Sequence, residues 1–167
     1  LPAKARSRTH WAPNSAGKSI PPTMSARRWR ASHSTNAAAL PRGSVKPPRL
    51  KTGDTVGLVI PSSAQWDPVA VDILLESLTA LGLNSKLGRH VFDRRGYFAG
   101  RDEDRAADLN AMFADPSVNA IHCIRGGWGA ARLLPLLDWA AIAKTPKILI
   151  GYSDITALLL GLHAKTG

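Results

Sequence analysis

From residue 50 onward two hydrophobic patterns take turns along the chain: short unbroken apolar runs, and longer stretches with an apolar residue every third or fourth position. The first pattern reads as strands buried on both faces, the second as amphipathic helices. Val56-Gly57-Leu58-Val59-Ile60, closed by Pro61-Ser62-Ser63, is the first strand. Asp67-Pro68 then supplies a helix cap and a first-turn proline, and Val71, Leu74, Leu78 and Leu81 form one apolar stripe that ends at Gly82. A weaker strand is expected around 84–91. Arg101-Asp102-Glu103-Asp104-Arg105 opens a helix whose acid-rich first turn suits the helix dipole, with Leu109, Met112 and Phe113 on its buried face and Pro116 just beyond it. A second strong strand, 118–124, runs into Arg125-Gly126-Gly127-Trp128-Gly129, and a helix is expected from about Ala130. The last unit is the strand Pro146-Lys147-Ile148-Leu149-Ile150, the turn Gly151-Tyr152-Ser153-Asp154, and an apolar helix from Ile155 towards His163.

Strands alternating with helices predict an α/β domain, a parallel sheet with helices on both faces. In such sheets chemistry collects in the loops at the carboxyl ends of the strands. The glycine turn 126–129 and the turn 151–154 both fall there.

Composition changes the picture only before residue 50. Ten of the 22 Lys and Arg lie in residues 1–49, with none of the 12 Asp and Glu, so the formal charge of +10 belongs to the amino-terminal segment and the rest is neutral. That segment is also rich in Pro, Ser and Ala, a composition that buries too little apolar surface to offset ordering entropy. Residues 1–48 are therefore expected to be a disordered basic tail. Arg27-Arg28-Trp29-Arg30 has the charge for RNA or anionic lipid, but a solvated tail or an artefact of start-site assignment explains it better, and nucleic acid is not the favoured partner. The chain begins with Leu1 and its first methionine is Met24, so translation starting there is one reading. No apolar signal core and no membrane-span pattern is seen, which makes cytoplasmic the default expectation.

Four groups invite a chemical reading. Ser153 sits on a sharp turn between a buried strand and a helix, where a hydroxyl is lifted clear of the sheet beside free helix amides. The hydrolase elbow G-x-S-x-G is incomplete, since Ile155 replaces the second glycine, and Ser153 or Asp154 as a plain helix cap is the competing reading. The Gly126–Gly129 turn suits an oxyanion hole, a phosphate cradle or simply a tight turn, and its spacing matches neither a Walker nor a dinucleotide loop. Cys123, the single cysteine, is expected in the core. His122 is expected to be structural, His163 to be a helix-end residue too far from Ser153 to serve it, and His90, His10 and His33 have no evident partner.

Taken together, Tyr97-Phe98-Ala99-Gly100, residues 101–110, residues 121–129, Ala131-Arg132-Leu133-Leu134, Leu137-Asp138 and Gly151-Tyr152-Ser153-Asp154 resemble the LD-carboxypeptidase family of serine peptidases, which includes the microcin-immunity peptidases. The likeness covers nearly all of residues 50–167. It implies a flavodoxin-like, class I glutamine amidotransferase-like amino-terminal domain, with Ser153 as nucleophile and the backbone amides of Gly127 and Asp154 as the oxyanion hole. Trp128 stands where the family often has tyrosine. The resemblance also implies a histidine oriented by a glutamate, both in a carboxyl-terminal domain beyond these residues, so that residues 50–167 are the nucleophile half alone and are expected to be nearly inactive by themselves. No cofactor or metal is implied. The expected substrate is a murein tetrapeptide losing its terminal D-alanine, with a homodimer possible within the family. A microcin-type immunity peptidase, a non-catalytic fragment and a tail-borne nucleic-acid binder are the competing readings.

Overall fold

A computed structural model describes residues 45–167. The tail expected over 1–48 lies outside the described residues except for 45–48, which are irregular. The elements are β1 (Thr55–Val59), α1 (Pro68–Ala80), β2 (Asn84–Leu87), α2 (Asp102–Ala114), β3 (Ala120–Cys123), a 3-10 helix (Ala130–Leu136), α3 (Trp139–Lys144), β4 (Ile148–Ile150), a 3-10 turn (Ser153–Ile155) and α4 (Thr156–Thr166). The four strands form one parallel sheet in the order β2-β1-β3-β4. The predicted α/β architecture is therefore observed, with every strand expected from the apolar runs present, the first shifted by one residue and those expected over 118–124 and 146–150 shorter.

Local chemistry explains the boundaries. The Asp67 carboxylate accepts from Val69 N at 3.0 Å and Pro68 occupies the first turn, so α1 starts there. Val71 and Leu78 are its buried anchors, each stabilising by about 1.5–3 kcal/mol. Leu81, expected on the same stripe, is 70% exposed because the helix ends at Ala80 and the chain turns away at Gly82. The helix expected from Ala130 is a 3-10 helix instead: Pro135 lies inside it, and a proline has no N–H for an α-helical bond and crowds the preceding turn. Asp138 then caps α3 through Ala141 N at 3.0 Å.

The sheet divides the core. Val59, Ile121, Cys123 and Leu149 point to one face, where α2, the 3-10 helix, α3 and α4 bring Leu109, Met112, Phe113, Leu133, Ile142 and Leu158 against them. Val56 and Leu58 point to the other face, under Leu74, Leu75 and Leu78 of α1. Register places Leu58 beside His122 and His122 beside Ile150 on this second face. The α1 helix covers the β1 end of it, and Ile150 at the β4 edge is left 41% exposed.

Candidate active site

The carboxyl ends of β1, β3 and β4 deliver three loops to one place. β4 ends in Gly151-Tyr152, and the next residue, Ser153, has φ of 58°, the one non-glycine residue with positive φ among those described. A left-handed serine costs roughly 1–3 kcal/mol and persists only where its surroundings hold it. Two contacts do so here. Ile155, fully buried, folds back against Gly151, where any Cβ would overlap it. Gly126 is packed against the serine from the β3 loop, so closely that a Cβ there would stand 3.0 Å from Ser153 Cβ and 3.1 Å from Tyr152 O. The second elbow glycine absent from the sequence is thus not needed: Ile155 turns into the core, and the open space is supplied by Gly126 of the neighbouring strand.

Gly127 follows with φ of 123°, and a Cβ on it would collide with the buried Ser63 hydroxyl. Ser63 Oγ in turn donates to Gly126 O at 2.9 Å, which locks the glycine turn onto the β1 loop. Among the described residues neither Gly127 N nor Asp154 N has a hydrogen-bond acceptor. The three residues singled out from sequence, Ser153, Gly127 and Asp154, therefore share one locus, the serine hydroxyl exposed and two amides without partners beside it.

The Asp154 side chain has a separate task. Its Oδ2 accepts from Ser62 Oγ at 2.6 Å and from Ala130 N at 2.8 Å, tying all three loops together. Beneath them lies Arg105, only 1% exposed, whose Nη1 donates to Pro61 O at 2.6 Å and which pairs with Asp102 and faces the Phe98 ring at 5.0 Å. Burial pulls the Arg105 pKa down and the Asp102 carboxylate opposes that pull. Asp102 also pairs with Arg132 at 2.7 Å. Sequence reasoning took Asp102 as a helix-start charge and did not single out Arg105 or Ser62, because their partners lie as many as 92 residues away.

Tyr152, Ser153, Gly126, Gly127, Arg125 and His122 line an open cleft of about 580 Å³, floored by Leu74 and Ile124. His122 was expected to be structural and out of reach of the loop layer. Its reach is what differs: it lies on the sheet face that α1 leaves uncovered beside β4, so this strand residue lines the cleft from below, while nothing there contradicts a structural role. Burial lowers the His122 pKa, its Nδ1 has no partner, and no carboxylate among the described residues orients it. His163 is exposed near the end of α4 and lines a different cavity, at the β4 and α4 edge. His90 has a partner after all, Asp93 Oδ2 at 2.7 Å. Cys123 is fully buried and its thiol is pushed up to about 12 by desolvation, which suits a core residue.

The strand before the serine, expected to be buried, is the half-exposed edge strand β4, and a strained serine between it and a helix, with unpartnered amides beside it, has the geometry of a hydrolase elbow. The chain belongs to the LD-carboxypeptidase family: residues 56–167 match the family's N-terminal domain. It is 46% identical over 122 residues to a probable murein peptide carboxypeptidase of Bacillus subtilis, covering 73% of this chain and 38% of that protein. It is 38% identical over 121 residues to the microcin C7 self-immunity protein MccF of Escherichia coli, covering 71% and 35%. Among solved structures it matches the MccF-like protein of Bacillus anthracis with a TM-score of 0.72 at 32% identity, covering 74% of this chain and 38% of that one. The chain thus spans under two fifths of the length of each of these relatives.

Proposed function

We propose that this domain carries the nucleophile of a serine-type LD-carboxypeptidase that releases terminal D-alanine from murein tetrapeptides. The observation that supports it most is the left-handed Ser153, its hydroxyl open to the cleft and flanked by the amides of Gly127 and Asp154.

The chemistry follows from those positions. Ser153 Oγ attacks the carbonyl carbon of the amide joining an L-centre to the terminal D-residue, and its proton passes to a general base. The carbonyl oxygen becomes an oxyanion, stabilised by the N–H groups of Gly127 and Asp154. Collapse expels the amine of D-alanine, which takes up the proton, and leaves an acyl ester on Ser153. Water, deprotonated by the same base, attacks that ester and frees the shortened peptide. The family resemblance assigns the base to a histidine held by a glutamate in a carboxyl-terminal domain outside these 167 residues. His122 lacks an orienting carboxylate and does not replace it. Murein peptide is preferred over a microcin-type conjugate as substrate because identity is higher to the carboxypeptidase than to the immunity protein over almost equal lengths.

The test uses the complete reading frame that contains this chain, supplied in parallel with a murein tetrapeptide and with an aminoacyl-nucleotide conjugate. D-alanine release is expected from the first, and Ser153→Ala should lower kcat by about 10⁴-fold or more without changing the thermal melt. Residues 50–167 alone should be nearly inert. Unchanged turnover by the Ser153→Ala protein, or action on the conjugate alone, would contradict the reading.

A further inference from the structure

We propose that Arg125 is an anion subsite that receives the free carboxylate of the substrate's terminal residue, and so makes the enzyme a carboxypeptidase rather than an endopeptidase. The inference rests on the peptidase reading of Ser153 and adds the group that chooses the bond.

Arg125 is the one half-buried arginine without a carboxylate partner among the described residues. The buried Arg105 has Asp102, while Arg101 and Arg132, though exposed, pair with Asp104 and Asp102. Half-buried on the wall of an open cleft and without a counter-charge, its guanidinium is placed to meet an anion that arrives from outside. The cleft it lines contains no Asp or Glu, which leaves Arg125 as the formal charge of that wall. Its Nη1 donates to Ala64 O at 2.9 Å, which fixes the fork while leaving other N–H groups for a ligand. A planar fork so held matches a carboxylate in two-point fashion.

Position agrees with the chemistry. In a peptide the carboxylate carbon of the last residue lies only about 3–4 Å from the carbonyl carbon before it, since successive peptide units repeat at about 3.8 Å. A subsite for that carboxylate must therefore adjoin the nucleophile. Arg125 is bonded in sequence to Gly126, which packs against Ser153 Cβ, and through it to Gly127, one of the two unpartnered amides. One short loop thus presents the carboxylate subsite and the oxyanion amide in series.

The experiment compares N-acetyl-L-lysyl-D-alanine with its carboxamide, using the complete reading frame, wild type, Arg125→Lys and Arg125→Met. The wild type should favour the carboxylate by at least about 30-fold in kcat/KM, expressed mainly in KM. Arg125→Met should erase the preference to within about threefold, and Arg125→Lys, which keeps charge without the fork, should retain part of it. Calorimetric binding of both peptides to the Ser153→Ala protein, with and without Arg125→Met, gives a readout that needs no turnover, and thermal melts report folding. Carboxamide accepted as well as carboxylate by the wild type, a preference surviving in Arg125→Met, or binding of neither peptide would overturn the proposal. Selective binding of the carboxylate without hydrolysis would instead uphold the subsite and count against the peptidase reading.

Discussion

The two faces of the sheet are made from the same four strands yet do opposite things. On one face Ile121 and Cys123 are sealed beneath α2, the 3-10 helix, α3 and α4, and the cluster there includes Leu109, Phe113, Leu133 and Leu158. On the other face the residue between them, His122, looks into the cleft, and its register neighbour Ile150 is 41% exposed. A strand buried on one side and half-open on the other can be held rigid by the first while offering chemistry on the second. The elbow at Ser153 depends on this division, because Ile155 and Leu158 anchor it into the sealed face.

Substitutions on the two faces should separate accordingly. The largest effect is expected at Ile121→Ala, a cavity in the sealed cluster, with a loss of about 2–5 kcal/mol in urea unfolding. Ile150→Ser on the open face should cost under about 1 kcal/mol by the same measurement; equal losses would erase the contrast. Asp154→Ala lies between them. It removes the acceptor shared by Ser62 and Ala130, at about 2 kcal/mol, and a Ser62→Ala, Asp154→Ala double-mutant cycle should show that the two changes are not additive.

A smaller effect concerns pH. Burial lowers the His122 pKa below the ordinary value of about 6.5, so between the two values the unfolded chain binds the extra proton and the folded chain does not. Stability from this group is therefore undiminished above that window and falls as pH drops through it. His122→Asn should shrink the difference in unfolding free energy between pH 7 and pH 5 relative to the parent chain. An identical difference in both proteins would show that the cleft wall is already open to water.

Much of the sealed face was legible from sequence because it is written in local pattern. The runs 56–60 and 118–124 and the Leu109, Met112, Phe113 stripe need no knowledge of distant residues. The open face was harder, since its meaning depends on what fails to cover it. His122 reads as one more strand position until the placement of α1 over β1 and β2 leaves its side uncovered. Arg105 looks like a surface charge in an acid-rich turn, and only the fold brings Pro61 and Ser62 to its guanidinium. Leu81 and the helix after Ala130 were misjudged for local reasons, a helix ending one residue early and a proline inside the next. Ser153, Gly127 and Asp154 could be named from the resemblance, but the reason the turn tolerates Ile155 is visible only where Gly126 meets the serine.

The central claim is that Ser153 is the reacting group, and covalent trapping tests it most directly. The complete reading frame would be treated with a fluorophosphonate and mapped by peptide mass spectrometry. A single adduct on Ser153, lost in the Ser153→Ala protein and slowed by prior addition of murein tetrapeptide, is the predicted result. An adduct on another residue, or D-alanine release that continues after Ser153 is fully modified, would contradict the account.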